Sequence, residues 1–137
     1  MLSIVGLGPS GYEKMSVGAY GVLRGAPTVF VRTARHPAVD DLRSQGIRIE
    51  PLDYLYDSSA TFDQVYLSIA EKITAAAELG DVVYAVPGHP LAGESAVGII
   101  ISEAERRGVE YRIYGSESFV EASLEAIRVG FEAGLKI

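Results

Sequence analysis

The sequence predicts an α/β protein: a doubly wound, mostly parallel five-stranded sheet with helices on both faces. Three observations carry this. Short β-branched runs alternate with amphipathic stretches along the chain. The most apolar strand, around residue 84, reads as buried on both faces, as parallel strands are. Glycine- and proline-rich turns follow three of the strands at their carboxyl ends, where open α/β sheets bind ligands.

The first strand is Leu2–Val5, ending in Gly6-Leu7-Gly8-Pro9-Ser10-Gly11. Glu13–Leu23 reads as a helix, weakened by Gly18 and Gly21. Thr28–Val31, "TVFV", is a buried strand. Pro37–Ser44 is a short helix, with Pro37 suited to its first turn. Ile47–Leu52 alternates weakly and suits a sheet edge. Thr61–Leu79 is the clearest helix. Phe62, Val65, Tyr66, Ile69, Ala70, Ile73, Ala76 and Ala77 form one apolar face, Thr61 and Gln64 match a capping box, and Gly80 suits the stop. Val82–Val86 is the central strand, and Glu94–Arg107 is a helix stopped by Gly108. Glu110–Tyr114 is the fifth strand, and Ser118–Arg128 a helix with Ser118 and Glu121 as a second capping box. "GFEAGLKI" reads as a sixth strand or a connector.

Composition narrows the function classes. The length of 137 residues predicts one domain, burying about two-thirds of its unfolded surface. With no cysteine there is no disulfide framework, thiolate metal site or cysteine nucleophile, which suits a cytoplasmic location. The formal charge of −6, with no long basic run, argues against nucleic acid. The apolar start lacks a cationic leader region, and no run reaches the roughly 20 residues that span a bilayer, so no membrane association is expected. Two histidines 53 positions apart make no metal signature, and no metal is expected.

Gly6–Gly11 matches the form GxGxxG. Pro9 lacks the amide that a pyrophosphate needs, and residues 26–39 hold no acidic residue for a ribose. Nicotinamide binding is therefore disfavoured against a plain strand-to-helix turn. Pro87-Gly88-His89-Pro90 is stiff at both prolines and open at Gly88. It suits either a wall of exposed carbonyls facing a ligand with donors or positive charge, or an ordinary turn. His89 is the general-base candidate, set against a histidine that only fixes the loop. Arg32, Arg35 and His36 form either a cationic rim for an acidic substrate or a solvated loop. Ser118 reads as a cap, while Ser116 remains open to a ligand; Tyr54 and Tyr56 read as packing residues.

Taken in order, "IVGLGPSG", "VFVRTARHPAV", "LDYLYDSSATFDQVYLSIA", "VVYAVPGHPLAGES" and "YGSESFVEASL" resemble the N-terminal half of a tetrapyrrole (corrin/porphyrin) methylase. They resemble most the bacterial subfamily fused to a MazG-type nucleotide pyrophosphohydrolase. The resemblance implies two α/β domains with S-adenosylmethionine between them and a small-molecule, tetrapyrrole-like substrate. It puts Pro87, Gly88, His89, Pro90, Ser116 and Ser118 on the cofactor side, and Gly8, Pro9 and Ser10 on the substrate side. It implies residues 1–128 as the N-terminal domain and 129–137 as a connector towards an absent C-terminal methylase domain. A chain holding one wall of the cleft is expected to be inactive alone. The alternative is a non-catalytic ligand-sensing or dimer-forming module on a nucleotide-cleaving enzyme. The first loop departs from the family, with Gly-Pro-Ser-Gly where relatives usually have Gly-Pro-Gly and an acidic residue.

Overall fold

A computed structural model of the chain describes residues 1–58, 61–128 and 130. Its strands are β1 (Leu2–Gly6), β2 (Val29–Val31), β3 (Ile49–Pro51), β4 (Val82–Val86) and β5 (Tyr111–Tyr114). Its helices are α1 (Val17–Gly25), α2 (Pro37–Ser44), α3 (Asp53–Ser58), α4 (Phe62–Leu79), α5 (Ser95–Arg107) and α6 (Phe119–Ile127), with a 3-10 turn at Tyr12–Lys14. The sheet order is β3-β2-β4-β1-β5, and every pairing is parallel. The central place of β4 and the edge place of β3 agree with the sequence reading.

Strand alternation divides the core into two layers. Leu2, Ile4, Val82, Tyr84 and Val86 pack against α4 and α5 on one face. Val5, Val29, Val31, Val83 and Ala85 pack against α1 and α2 on the other. Successive side chains of a strand point to opposite faces, so burial on both sides requires a continuous apolar run. All five residues of β4 are buried. The α4 helix buries Val65, Ile69, Ala70, Ile73 and Ala77, most of the predicted stripe, and Thr61 accepts the Gln64 amide at 3.2 Å as its cap.

The predicted helix over Glu13–Leu23 is corrected. A 3-10 turn stands first, Met15 and Ser16 are extended, and the helix begins at Val17 and runs to Gly25. The cause is tertiary. The Ser16 amide donates to the Ser116 hydroxyl at 3.0 Å, and the Ser16 hydroxyl donates to the Gly115 carbonyl at 2.6 Å. Ser16 is pulled out of helical geometry towards the β5 loop and becomes the cap, accepting from the Ala19 amide at 3.1 Å. Helix α3 has no counterpart in the sequence reading, because six residues show no helical period. The predicted connector, 129–137, falls outside the described residues except for Gly130.

Candidate functional site

The chain leaves β1 towards β2 on one side of the sheet and leaves β4 towards β5 on the other. β1 and β4 are neighbours, so their carboxyl ends flank the point where strand order reverses, the usual ligand position in such sheets. There the two special loops join directly. Gly8 and Gly88 form an antiparallel bridge, the Gly88 amide donating to the Gly8 carbonyl at 2.8 Å and the reverse bond measuring 3.1 Å. Both glycines have positive φ, +76° and +65°. A Cβ on Gly6 would stand 2.4 Å from the Gly88 carbonyl oxygen and 2.9 Å from the Ser116 amide nitrogen. The glycines thus allow three loops to meet backbone to backbone.

A cavity of about 270 Å³ opens at this junction. Gly8 and Pro9 from the loop after β1, and Pro87 and Gly88 from the loop after β4, line it. His36, Gly93, Glu94 and Phe119 line it as well, and no binding role for these was read from the sequence at this cleft. Their signals were faint: Gly93 holds φ +76°, and a Cβ there would stand 3.7 Å from the Phe119 ring. Ser10, His89, Pro90, Ser116 and Ser118 do not line the cavity.

The loop chemistry differs from the exposed-carbonyl wall. The carbonyls of Val86, Gly88 and His89 accept backbone amides from Leu7, Gly8 and Ala92 at 2.8, 3.1 and 3.0 Å. The wall is stiff, but those carbonyls serve the turn first. His89 Nδ1 accepts the Leu91 amide at 3.0 Å. Its ring lies so close to Gly115 that a Cβ there would be 2.4 Å from Nε2. The loop-fixing role weighed against a general base is what this geometry supports. Ser116, nearly buried, donates to the Gly6 carbonyl at 2.8 Å and accepts from Ser16. Ser118 caps α6, accepting the Val120 amide at 3.1 Å, while Glu121 accepts the Ser118 amide in a full capping box. The Ser118 hydroxyl, with smaller contributions including nearby His89, holds Glu121 below the usual carboxylate range.

His36 does not belong to a cationic rim. It is 8 % exposed and caps α2, its Nδ1 accepting the Ala38 amide at 3.1 Å. Nε2 therefore carries the proton and donates to the Gly8 carbonyl at 2.9 Å. Burial lowers its pKa, opposed by the Gly8 bond, so the ring is a neutral brace beneath the first loop. Arg32 and Arg35 line a separate cavity of about 170 Å³ with Thr33, Asp53, Tyr56 and Asp57. Arg32 Nε lies 3.0 Å from Glu94 Oε1. Burial raises the Glu94 pKa, and Arg32 opposes that rise. Tyr56 packs against the core as expected, whereas Tyr54 is half exposed.

The junction combines glycine-bounded loops, a largely buried carboxylate and an aromatic flank at the point where strand order reverses. The sequence profile of the tetrapyrrole (corrin/porphyrin) methylases matches residues 1–130. The chain belongs to this family. It is 33 % identical over 128 residues to YabN of Bacillus subtilis (strain 168), spanning 93 % of this chain and 26 % of YabN. It is similar in fold to uroporphyrin-III-C-methyltransferase from Thermus thermophilus, with TM-score 0.72, 22 % identity, and coverage of 94 % of this chain and 53 % of that one. It is similar to diphthine synthase, with TM-score 0.74, 23 % identity, and coverage of 94 % and 49 %. A Thermus thermophilus uroporphyrin-III C-methyl transferase complexed with S-adenyl homocysteine matches with TM-score 0.65, 20 % identity, and coverage of 89 % and 50 %. At these identities the structural likeness is one of fold. The tetrapyrrole methylase chain described here spans about a quarter of YabN and about half of each solved structure. Among its described residues no helix is long and apolar enough to cross a membrane.

Proposed function

We propose that this tetrapyrrole methylase domain forms the N-terminal wall of an S-adenosylmethionine-dependent methyltransferase cleft and is inactive without an opposing domain. The observation that carries this reading is the junction of the β1 and β4 loops at the switch point, with a cavity opening on it. The cavity, of about 270 Å³, is lined by residues from both loops. The extra length of the structural relatives is the natural source of the second wall.

The residues fit the cofactor. It is a cation carrying an amino group, and Glu94 offers the cleft a carboxylate acceptor. S-adenosylmethionine supplies a methyl carbon bearing a good leaving group, so transfer needs alignment more than a protein nucleophile. Pro87, Gly88, His89 and Pro90 supply the stiff loop that sets the cofactor's position. Ser116 and Ser118 support it from behind through their internal bonds. Gly8 and Pro9 face a tetrapyrrole-like substrate, Ser10 follows them in the same loop, and His36 braces Gly8. No base role is required of His89 unless the accepting carbon must lose a proton.

A second reading is favoured by the small share of YabN that this domain occupies. The domain then senses a ligand, or forms a homodimer, beside another activity such as a MazG-type nucleotide pyrophosphohydrolase. In either reading the protein works in the cytoplasm on a small molecule.

Calorimetric titration of S-adenosylmethionine and S-adenosylhomocysteine separates the readings. The 137-residue chain is compared with a longer chain carrying about a hundred further residues of its gene. The longer chain is expected to bind both and this chain weakly, with no methylated product from any precursor tetrapyrrole. Binding by neither chain removes the methyltransferase reading and leaves the sensing role.

A further inference from the structure

The two edges of the sheet are not alike. Alternate residues of an edge strand in a parallel ladder turn their backbone N–H and C=O groups away from the neighbouring strand. At β3, the Val29 amide donates to the Arg48 carbonyl and the Leu52 amide to the Val31 carbonyl, both at 2.9 Å. The even-numbered residues there face β2, so Ile49 and Pro51 face outward. Pro51 has no N–H to offer, and a proline at such a place closes an edge to further strands. At β5, the Leu2 amide donates to the Glu110 carbonyl at 2.9 Å, with Leu2 in register with Tyr111. Tyr111 and Ile113 therefore face outward, and each keeps both backbone groups. The neighbour of β5 is β1 alone, so this edge is open.

The side chains along the open edge complement themselves. Glu110-Tyr111-Arg112 places an acid and a base on either side of one outward-facing residue. Both charged side chains are exposed, and neither has a partner among the described residues. A second copy laid antiparallel, about a two-fold axis at Tyr111, pairs the outward-facing backbone groups of the two Tyr111 residues. Glu110 of each copy then stands opposite Arg112 of the other, in the closely spaced positions that are not hydrogen-bonded. The next register in either direction sets Arg112 against Arg112 or Glu110 against Glu110, and like charges directly opposite are destabilising. The ladder is short, because the Val109 amide is already held by the Ala104 carbonyl at 2.8 Å. Charge therefore selects the register.

We infer that the β5 edge is a homodimer surface, on which two copies of this chain join β5 to β5 antiparallel with Glu110 of each meeting Arg112 of the other. The two sheets then run on as one. The pairing centres on the amino end of β5, whereas the cleft lies beyond the carboxyl ends of β1 and β4. The dimer gives the second reading of the function its surface, yet it does not rest on what the cleft binds.

The test is sedimentation equilibrium of the full 137-residue chain over a range of concentrations. A monomer–dimer equilibrium is expected, weakened by added salt. Arg112→Glu sets two pairs of carboxylates face to face and should weaken the dimer at least about tenfold; Glu110→Arg should do the same. Combining Glu110→Arg with Arg112→Glu should restore it to within about threefold of the starting chain. Ile113→Pro, which copies the closed edge at Pro51, should leave a monomer. Thermal unfolding checks that each variant is folded, and the charge variants, all at exposed positions, carry the test if Ile113→Pro is not. In a mixture of isotope-labelled and unlabelled chains, an intermolecular Overhauser contact is expected between the α-protons of Glu110 and Arg112. A chain that stays monomeric at every concentration overturns the inference. So does a dimer indifferent to the single reversals, one not recovered by the double swap, or one lacking the Glu110–Arg112 contact. None of these measurements involves a cleft ligand, so their failure leaves the methyltransferase proposal to its own titration.

Discussion

Gly115 and His89 show how much rests on one missing methyl group. The His89 ring occupies the space where a Cβ on Gly115 would stand, 2.4 Å from Nε2. The Leu91 amide pins that ring from the other side. Gly115→Ala is expected to cost about 1–3 kcal/mol by overpacking, read as a shift in the urea midpoint at unchanged slope. It should also displace the Pro87–Pro90 loop, visible as shifted resonances at Gly88 and Leu91. His36 acts through its protonation state. Its folded pKa is lowered from 6.5, so the unfolded chain binds more protons as pH falls. Its contribution is present above pH 6.5 and is lost as pH drops through the folded value. Asn at this position keeps an acceptor for the Ala38 amide and does not titrate. In His36→Asn the fall in stability between pH 7 and pH 5 should be shallower, by thermal unfolding at each pH. An unchanged slope would show that His36 is not the group responsible.

Among the elements, α4 and α1 make opposite points. In α4, local signals agree: an apolar stripe at helical spacing, a threonine cap and a long run without proline. Thr61→Ala should cost about 1 kcal/mol through the lost bond to the Gln64 amide, with the sheet unaltered by circular dichroism. In α1, local signals ran straight through Glu13–Leu23, and distant bonds cut the segment at Ser16. Their partners lie about a hundred residues away, and no period in the sequence reports them. Helix α3 was illegible for another reason: it is short, has no buried residue of its own and is tied in by Asp53, which accepts the Ala34 amide at 3.1 Å. The Pro87–Pro90 loop was legible as stiff. Its carbonyls were not legible as engaged, because their partners belong to Leu7, Gly8 and Ala92.

Across the whole molecule, strand order creates the site. β1 and β4 are about eighty residues apart in sequence and adjacent in the sheet, and their exits diverge. The cleft is where the chain's two helical layers part, so the loops there are covered by neither α1 and α2 nor α4 and α5. Phe119, which lines this opening, is more than half exposed. Whether a second domain covers it is what the titration of the longer chain measures at this scale.

The sequence by itself determined the fold class, the central and edge strands, most helices, and the two glycine-proline loops as the place to look. Those features depend on local periodicity, caps and the conformational limits of glycine and proline, all written within a few neighbouring residues. Only the tertiary structure decided that Ser116 serves the scaffold, that His36 braces Gly8 as a neutral ring, and that Arg32 meets Glu94. Each of these depends on which strand ends lie side by side. A polar side chain takes its role from whatever partner the sheet order brings within about 3 Å, and that partner is remote in the chain.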